Sequence, residues 1–385
     1  MYKKICVYAI SHNEMGHIDQ FIESIIDETD YIAILDTGST DGTWKVLQDI
    51  AKEYPDKMII QQYDYLDKFR FDKARNDSMK LIPIDTDICV TFNLDYVPEA
   101  GWSELLRQKF DDGYDEVYGW IVDNSDPNLG TWPIRVAHTN DPYWVWDKMI
   151  HEDLIYTKAH HDQILKTATV DDLIIDCYPE PNKDKSIYLD ILNYARSIDP
   201  GNSFYGYYYC HELYANDKLE EAIQAGEAAL NECNFDDNKE LAIQINISLG
   251  KWYMEKDPEA FHLAAIGHLE EAISMGAYSR RVFNRFADIY EYLEDTDMQL
   301  DMLFKALSVE SNSKDWTEDD ILFKGIIEDK IALIYYYKKN NVLAALEYGA
   351  KALQANPDDM RLKENMGYYF SKFLMDNGGE VKYGE

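Results

Sequence analysis

The chain has 385 residues, 46% of them hydrophobic, and a formal net charge of −35 at pH 7. That length exceeds one ordinary core, so two domains are expected. The charge opposes binding to nucleic acid or to anionic membrane, and acids interrupt even the most basic stretch, Lys68 to Arg75.

The elements follow in chain order. Lys4 to Ile10 is an apolar strand, and its continuation into Ser11-His12-Asn13-Glu14 reads as a strand end rather than as a signal peptide. Gly16 to Ile26 carries Ile18, Phe21, Ile22 and Ile25 at helical spacing. Tyr31 to Leu35 is the second strand. Thr43 to Tyr54 sets Trp44, Val46, Leu47, Ile50 and Ala51 on one helical face, with Thr40 or Asp41 as N-cap. Met58 to Gln62 is a third strand, Phe71 to Leu81 a helix, and Asp87 to Phe92 a fourth strand. This β-α-β-α-β order predicts a mainly parallel sheet with helices on both faces. Ligands of such sheets bind beyond the carboxyl ends of the strands. No run approaches the ~20 apolar residues that cross a bilayer.

From about residue 186 the strand patterns stop. The segments 219–230, 263–273, 298–307 and 343–353 repeat one helical pattern, anchored on Ala229, Ala272, Ala306 and Ala352. The spacing between the second and third anchors is 34 residues, and the other two, 43 and 46, contain insertions. A period of about 34 residues in helix-turn-helix units is that of the tetratricopeptide repeat. Ala332, Tyr336, Ala345, Ala352 and Pro357 fit one full repeat. Pro179 and Pro181 mark a linker over 177–186, giving domains 1–180 and 186–385. The five cysteines are scattered and odd in number, without C-x-x-C spacing. They are expected as buried free thiols in a reducing compartment, which points to the cytoplasm.

Three stretches carry candidate chemistry. "DTGSTDGT" (36–43) ends a buried strand in an aspartate and a glycine turn, and its N–H groups favour an anion nearby. "FNLDYVPEAGW" (92–102) places Asp95 just beyond another buried strand, where a carboxylate suits Mg²⁺ or Mn²⁺ and a phosphate. "WDKMIHEDL" (146–154) groups His151, Glu152 and Asp153. An imidazole can ligate a metal, and a carboxylate can take a proton from an acceptor. Glu152 and Asp153 face opposite ways on an extended strand, so only one serves. His160-His161 reads as surface, Trp132, Trp144 and Trp146 as mostly core, and Arg135 as outside the site.

Taken together, "AISHNE", "DTGSTDGT", "FRFDKARNDSM" (69–79), "NLDYV" and "HED" resemble, in order and spacing, the family 2 glycosyltransferases of GT-A fold. The subgroup the chain looks most like carries C-terminal tetratricopeptide repeats. It includes bacterial peptide S-glycosyltransferases and sugar transferases of surface polysaccharides. The resemblance implies an α/β GT-A domain followed by an all-α repeat domain. It also implies inverting, metal-dependent transfer from a nucleotide-diphosphate sugar, with UDP-sugars favoured. Asp36 would then bond the nucleobase, with Asn13, Glu14 and Asp41 around it and Arg75 near the base or diphosphate. Asp95 would hold Mg²⁺ or Mn²⁺, His151 is a candidate ligand, and Glu152 or Asp153 is the candidate base. The family's first D-x-D acid is replaced by Asn93, whose amide can bond a ribose hydroxyl but adds no charge. The repeats point to a peptide or protein acceptor, with a glycan as the alternative, and to a homodimer surface. A GT-A domain of weakened activity serving a repeat-based binding module is the competing expectation.

Overall fold

In the computed structural model the chain divides into two compact units, Met1–Leu192 and Asn193–Glu385. The structure describes residues 2–65, 68–125, 131–158, 165–180, 186–236, 238–310 and 320–378. The expected surface pair His160-His161 and the linker residues 181–185 lie outside the described residues.

The first unit is built on β1 (Ile5–Ser11), α1 (Ile18–Ile25), β2 (Tyr31–Asp36), α2 (Thr43–Glu53), β3 (Met58–Gln62), α3 (Phe71–Met79) and β4 (Ile88–Thr91). There follow β5 (Tyr96–Pro98), α4 (Trp102–Asp111), β6 (Glu116–Asp123), β7 (Thr131–Thr139), β8 (Trp144–Asp147), β9 (Asp153–Tyr156) and β10 (Thr167–Cys177). The main sheet has the order β3-β2-β1-β4-β7-β6-β10-β5. Strands β1 to β4 pair in parallel, as the β-α-β order requires. Beyond β4 the expected parallel pattern gives way to a mixed one. β7 runs antiparallel to both β4 and β6, β10 is parallel to β6, and β5 is antiparallel to β10.

Strand alternation sorts the side chains of β1 to two faces. Ile5, Val7 and Ala9 enter a core with Ile18, Phe21 and Ile25 of α1, Leu47 of α2 and Trp102, Leu106 and Phe110 of α4. Cys6 and Tyr8 face the other way, with Ala33 and Cys89, against Met79, Leu81, Ile82 and Trp146. The N-cap of α2 is Gly42, at φ 107°, rather than Thr40 or Asp41. Asp41 acts from one residue outside the cap, its Oδ1 accepting from the N–H of Thr43 at 2.9 Å.

No strand occurs among the described residues after β10. The second unit pairs α6 (Ser203–Ala215) with α7 (Leu219–Glu232), α8 (Lys239–Lys256) with α9 (Pro258–Ser274), and α10 (Arg280–Tyr292) with α11 (Thr296–Leu307). A fourth pair is α12 (Ile326–Leu333) with α13 (Val342–Ala355), followed by α14 (Met360–Asp376). Helix α5 (Ser186–Ile198) spans the division between the units. The anchors Ala229, Ala272, Ala306 and Ala352 are all fully buried, because a small residue lets two helix axes approach closely. The 43-residue spacing has a simple cause: α8 and α9 run to 18 and 17 residues. All five cysteines are free. Between α7, α8 and α9 a groove of about 480 Å³ is lined by Glu227, Asn231, Phe235, Asn246, His268 and Met275 among others.

A close approach at one glycine tests this packing. Gly325 precedes α12 at φ 83°, and a Cβ there would meet the carbonyl oxygen of Ala352 at 2.5 Å. Gly325→Ala should therefore lower the stability of the repeat unit by about 2–4 kcal/mol, from backbone strain and overpacking together. Chemical denaturation checks it, and wild-type stability would contradict the close approach.

Candidate active site

The carboxyl ends of β1, β2, β3 and β4 lie on one edge of the sheet, and the candidate residues gather there. Asp36 ends β2 and is completely buried. Its Oδ1 accepts from the N–H groups of Gly38 (3.1 Å) and Ser39 (3.0 Å) and from Gln62 Nε2 (2.9 Å). Its Oδ2 accepts from Ser11 Oγ (2.9 Å) and Ser39 Oγ (2.5 Å). Burial alone would raise the pKa, but these donors, led by the Ser39 hydroxyl and the Gln62 amide, hold it below the ordinary aspartate value.

A second tie fastens the β1–α1 loop onto the same turn. Asn13 stands in left-handed backbone at φ 56°. Its N–H donates to Ser39 Oγ, and its Oδ1 accepts from the N–H groups of Thr40 and Asp41. The Glu14 N–H donates to Thr43 Oγ1, and that of Met15 to Asp41 Oδ2. Desolvation opposes ionisation of Asp41, yet bonds from Thr43 and Met15 outweigh it and lower its pKa. Asn13, Glu14, Asp36 and Asp41 thus form one knot.

The other cluster is organised by α3. Ala74 is buried, Arg75 is 9% exposed, and Asn76 holds β8 by two bonds, donating to the Trp146 carbonyl and accepting from the Trp146 N–H. The Phe71 N–H donates to the Met149 carbonyl, which fixes the β8–β9 loop over the start of α3. Arg75 then bridges two remote segments. Its Nε donates to Glu152 Oε1 at 2.7 Å and its second guanidinium nitrogen to Asn93 Oδ1 at 2.8 Å, while its centre stands 4.8 Å from the Trp146 ring. Glu152 Oε2 accepts no hydrogen bond among the described residues. Asp153 goes elsewhere: it is exposed and pairs with Arg135, which also binds Glu116 and the Leu154 carbonyl.

His151 occupies left-handed backbone at φ 51°, and its ring lies 6.2 Å from that of Tyr188. The residue is exposed, yet desolvation of the ring still lowers its pKa, with the charge of Glu152 opposing. Asp95 lies just before β5, and the Cys177 thiol donates to its Oδ2 at 3.7 Å. Burial, then the charges of Asp95 and Asp123, push that thiol up to about 12. Among the described residues no three His, Cys, Asp or Glu side chains converge on a metal position. A hard cation in a nucleotide site is commonly held by one or two carboxylates plus phosphate oxygens. The single carboxylate of Asp95 fits that pattern.

Two contributors escaped the sequence reading. Gln62 is the last residue of β3, and no local pattern marks it. The second is a buried relay behind Arg75. Trp146 Nε1 donates to Tyr8 Oη (3.2 Å), and Tyr8 Oη lies 3.0 Å from His138 Nε2. His138 Nδ1 lies 2.8 Å from the Thr139 carbonyl, which assigns the proton to Nδ1 and makes Nε2 the acceptor.

Residues 6–170 match the family described as Glycosyl transferase family 2. The first unit carries a family 2 glycosyltransferase domain. No curated protein matches the chain. Among solved structures it is similar to a thermophilic TPR protein of Thermus thermophilus, at 16% identity and TM-score 0.35, over 48% of this chain and 89% of that one. It is also similar to YrrB, a TPR protein with an unusual peptide-binding site, at 16% identity and TM-score 0.36, over 47% and 83%. The APC/C hetero-tetramer Cut9-Hcn1 gives 14% identity and TM-score 0.36 over 49% of this chain and only 33% of that one. The second unit is a tetratricopeptide-like array by its own helix pairs and anchors. No described helix is long and apolar enough to cross a membrane.

The relay makes the glycosyltransferase domain sensitive to acid. His138 is fully buried, and burial drives its pKa down to about 4, with Arg135 adding to the fall and the Thr139 carbonyl opposing it. An unfolded histidine titrates near 6.5, so between those values the unfolded chain binds more protons. Stability is then flat above about pH 6.5 and falls as pH drops toward 4. From pH 7 to pH 5 the loss from this group is about 2 kcal/mol. Denaturant titrations at the two pH values check it, and His138→Gln should remove that increment.

Proposed function

We propose that the protein transfers a sugar from a nucleotide-diphosphate sugar to an acceptor, with inversion, using Glu152 as general base. The observation that carries this reading is the Arg75 bridge. It draws Asn93, beyond β4, and Glu152, on the β8–β9 loop, to the edge that also bears the Asp36 knot. The nucleoside would lie against the knot of Asn13, Glu14, Asp36 and Asp41. Asn93 and Arg75 would sit beside the ribose and the diphosphate.

Electrostatics argue for a cation. Arg75 is already neutralised by Glu152, and Asp95 is a further acid, so a diphosphate placed there meets net negative charge. Mg²⁺ or Mn²⁺ on Asp95 would neutralise the leaving diphosphate. His151, whose pKa is lowered by desolvation of its ring, is the second candidate donor. In the reaction the acceptor's oxygen or sulfur attacks the anomeric carbon, its proton passes to Glu152 Oε2, and the bond from that carbon to the diphosphate oxygen breaks. Inversion follows from a single displacement with one base opposite the leaving group. Asp153, exposed and committed to Arg135, is the weaker candidate.

The acceptor is proposed to be a peptide or protein, because repeat arrays present long surfaces suited to extended chains. The groove between α7, α8 and α9 is such a surface. Labelled donor offered with peptide and glycan panels in parallel separates this from a glycan acceptor.

Incubation with UDP-glucose and other donors, with and without Mn²⁺, tests the activity. The absence of both nucleotide binding and donor hydrolysis across the panel would refute it. Glu152→Gln should cost ~10²–10⁴ in kcat with the nucleotide Kd nearly unchanged, and Asp153→Asn should cost far less. Equal rates for both variants and wild type would place the base elsewhere.

A further inference from the structure

Asp36 has no spare capacity for a ligand. Five donors from within the protein converge on its two oxygens, which offer about four lone-pair directions between them. The side chain is also fully buried. A base N–H could reach this carboxylate only by displacing a protein donor.

One of those donors has an open side. Gln62 closes β3 at the same edge and is exposed. A carboxylate can only accept, so the amide must turn Nε2 toward Asp36, and this fixes Oε1 on the other side. Among the described residues Oε1 accepts no hydrogen bond, and only one of the two Nε2 hydrogens is used. The backbone is held as well, since the Tyr63 N–H donates to the Asp36 carbonyl at 2.9 Å. The result is a spare acceptor and a spare donor on one exposed amide, oriented by a buried charge.

We infer that Gln62 reads the nucleobase of the donor, while Asp36 holds Gln62 and the glycine turn in place. The inference rests on the nucleotide-sugar reading above. The matching ligand edge is an N–H beside a carbonyl, as in uracil, where N3–H would donate to Oε1 and a ring carbonyl would accept from Nε2. Asp36 is then a positioning residue that acts through Gln62.

Calorimetric titration of the full chain with UDP, and separately with inorganic pyrophosphate, both with Mg²⁺, tests this. Gln62→Leu keeps the size of the side chain and removes both functions of the amide. It should weaken UDP about tenfold or more, the loss of two ordinary hydrogen bonds, and leave pyrophosphate within about twofold. Asp36→Asn should lower thermal stability and weaken both probes together, because it loosens the whole knot. Equal loss of UDP and pyrophosphate in Gln62→Leu, or no loss of either, overturns the assignment while wild type still binds UDP. So does selective loss of UDP in an Asp36→Asn variant of wild-type stability, since base reading then returns to Asp36. A wild-type protein that binds none of UDP, GDP, CDP and ADP overturns the donor reading itself and this assignment with it.

Discussion

A buried carboxylate must be satisfied or it unfolds what surrounds it, and Asp36 imposes that condition on this sheet edge. Removing an ionised aspartate from water costs several kcal/mol before its partners act. The compensation comes from three strand ends at once: Ser11 of β1, the Gly38-Ser39 turn after β2, and Gln62 of β3. The "DTGSTDGT" sequence becomes intelligible in these terms. Asp36 needs two consecutive turn N–H groups, and Gly38 supplies the left-handed backbone, at φ 102°, that aims them inward. Ser39 adds a hydroxyl, and Asp41 and Gly42 start α2. The acids and glycines that look like a mere polar loop are the means by which one charge is buried.

Arg75 plays the complementary part. It is a nearly buried cation whose hydrogen bonds reach residues 18 and 77 positions away in the chain. The Trp146 face backs it, and Trp146 is tied in turn to Tyr8 and His138 in a chain of neutral donors and acceptors. Such a dry support strengthens the ion pair with Glu152 by excluding water from one side. The loop that presents Glu152 carries two non-glycine residues, Lys148 and His151, in left-handed backbone. Strain of that kind persists only where surrounding bonds determine the conformation. The Phe71 and Asn76 contacts from α3 supply those bonds.

Much of this was legible in the sequence, for reasons that differ by element. The first strands stand out as short apolar runs, buried almost throughout in β1, β2 and β4, and α1 and α2 stand out by apolar residues at helical spacing. The alanine anchors stand out because only small side chains fit where paired helices touch. The second half of the sheet was not legible as mixed. Pairing direction in β5, β6, β7 and β10 depends on partners distant in the chain, and no local period records it. Of the two adjacent acids, alternation said that only one faces the site. In the structure Glu152 pairs with Arg75 and Asp153 with Arg135, two cations on separate elements, and that difference is what favours Glu152 in the proposal. Gln62 was invisible, since an amide closing a strand carries no signal until the carboxylate beside it is known.

The two charged groups share one design rule, and it separates what is structural from what is available. Every oxygen of Asp36 is spent inward, so its charge holds the fold and offers nothing outward. Its partner Gln62 is anchored through Nε2 and keeps Oε1 unbonded among the described residues. Glu152 is likewise anchored through Oε1 on Arg75 and keeps Oε2 unbonded among the described residues. In each case a buried group fixes one atom of a bifunctional side chain, and the remaining atom is left oriented without having to be ordered when a ligand arrives. Orientation settled during folding is the kind of preorganisation that favours binding and proton transfer. It also explains why the edge can be so acidic and still well ordered. The charges of Asp36, Asp41 and Glu152, which would repel an incoming diphosphate, are already paired or saturated, and the proposed divalent cation would act at Asp95.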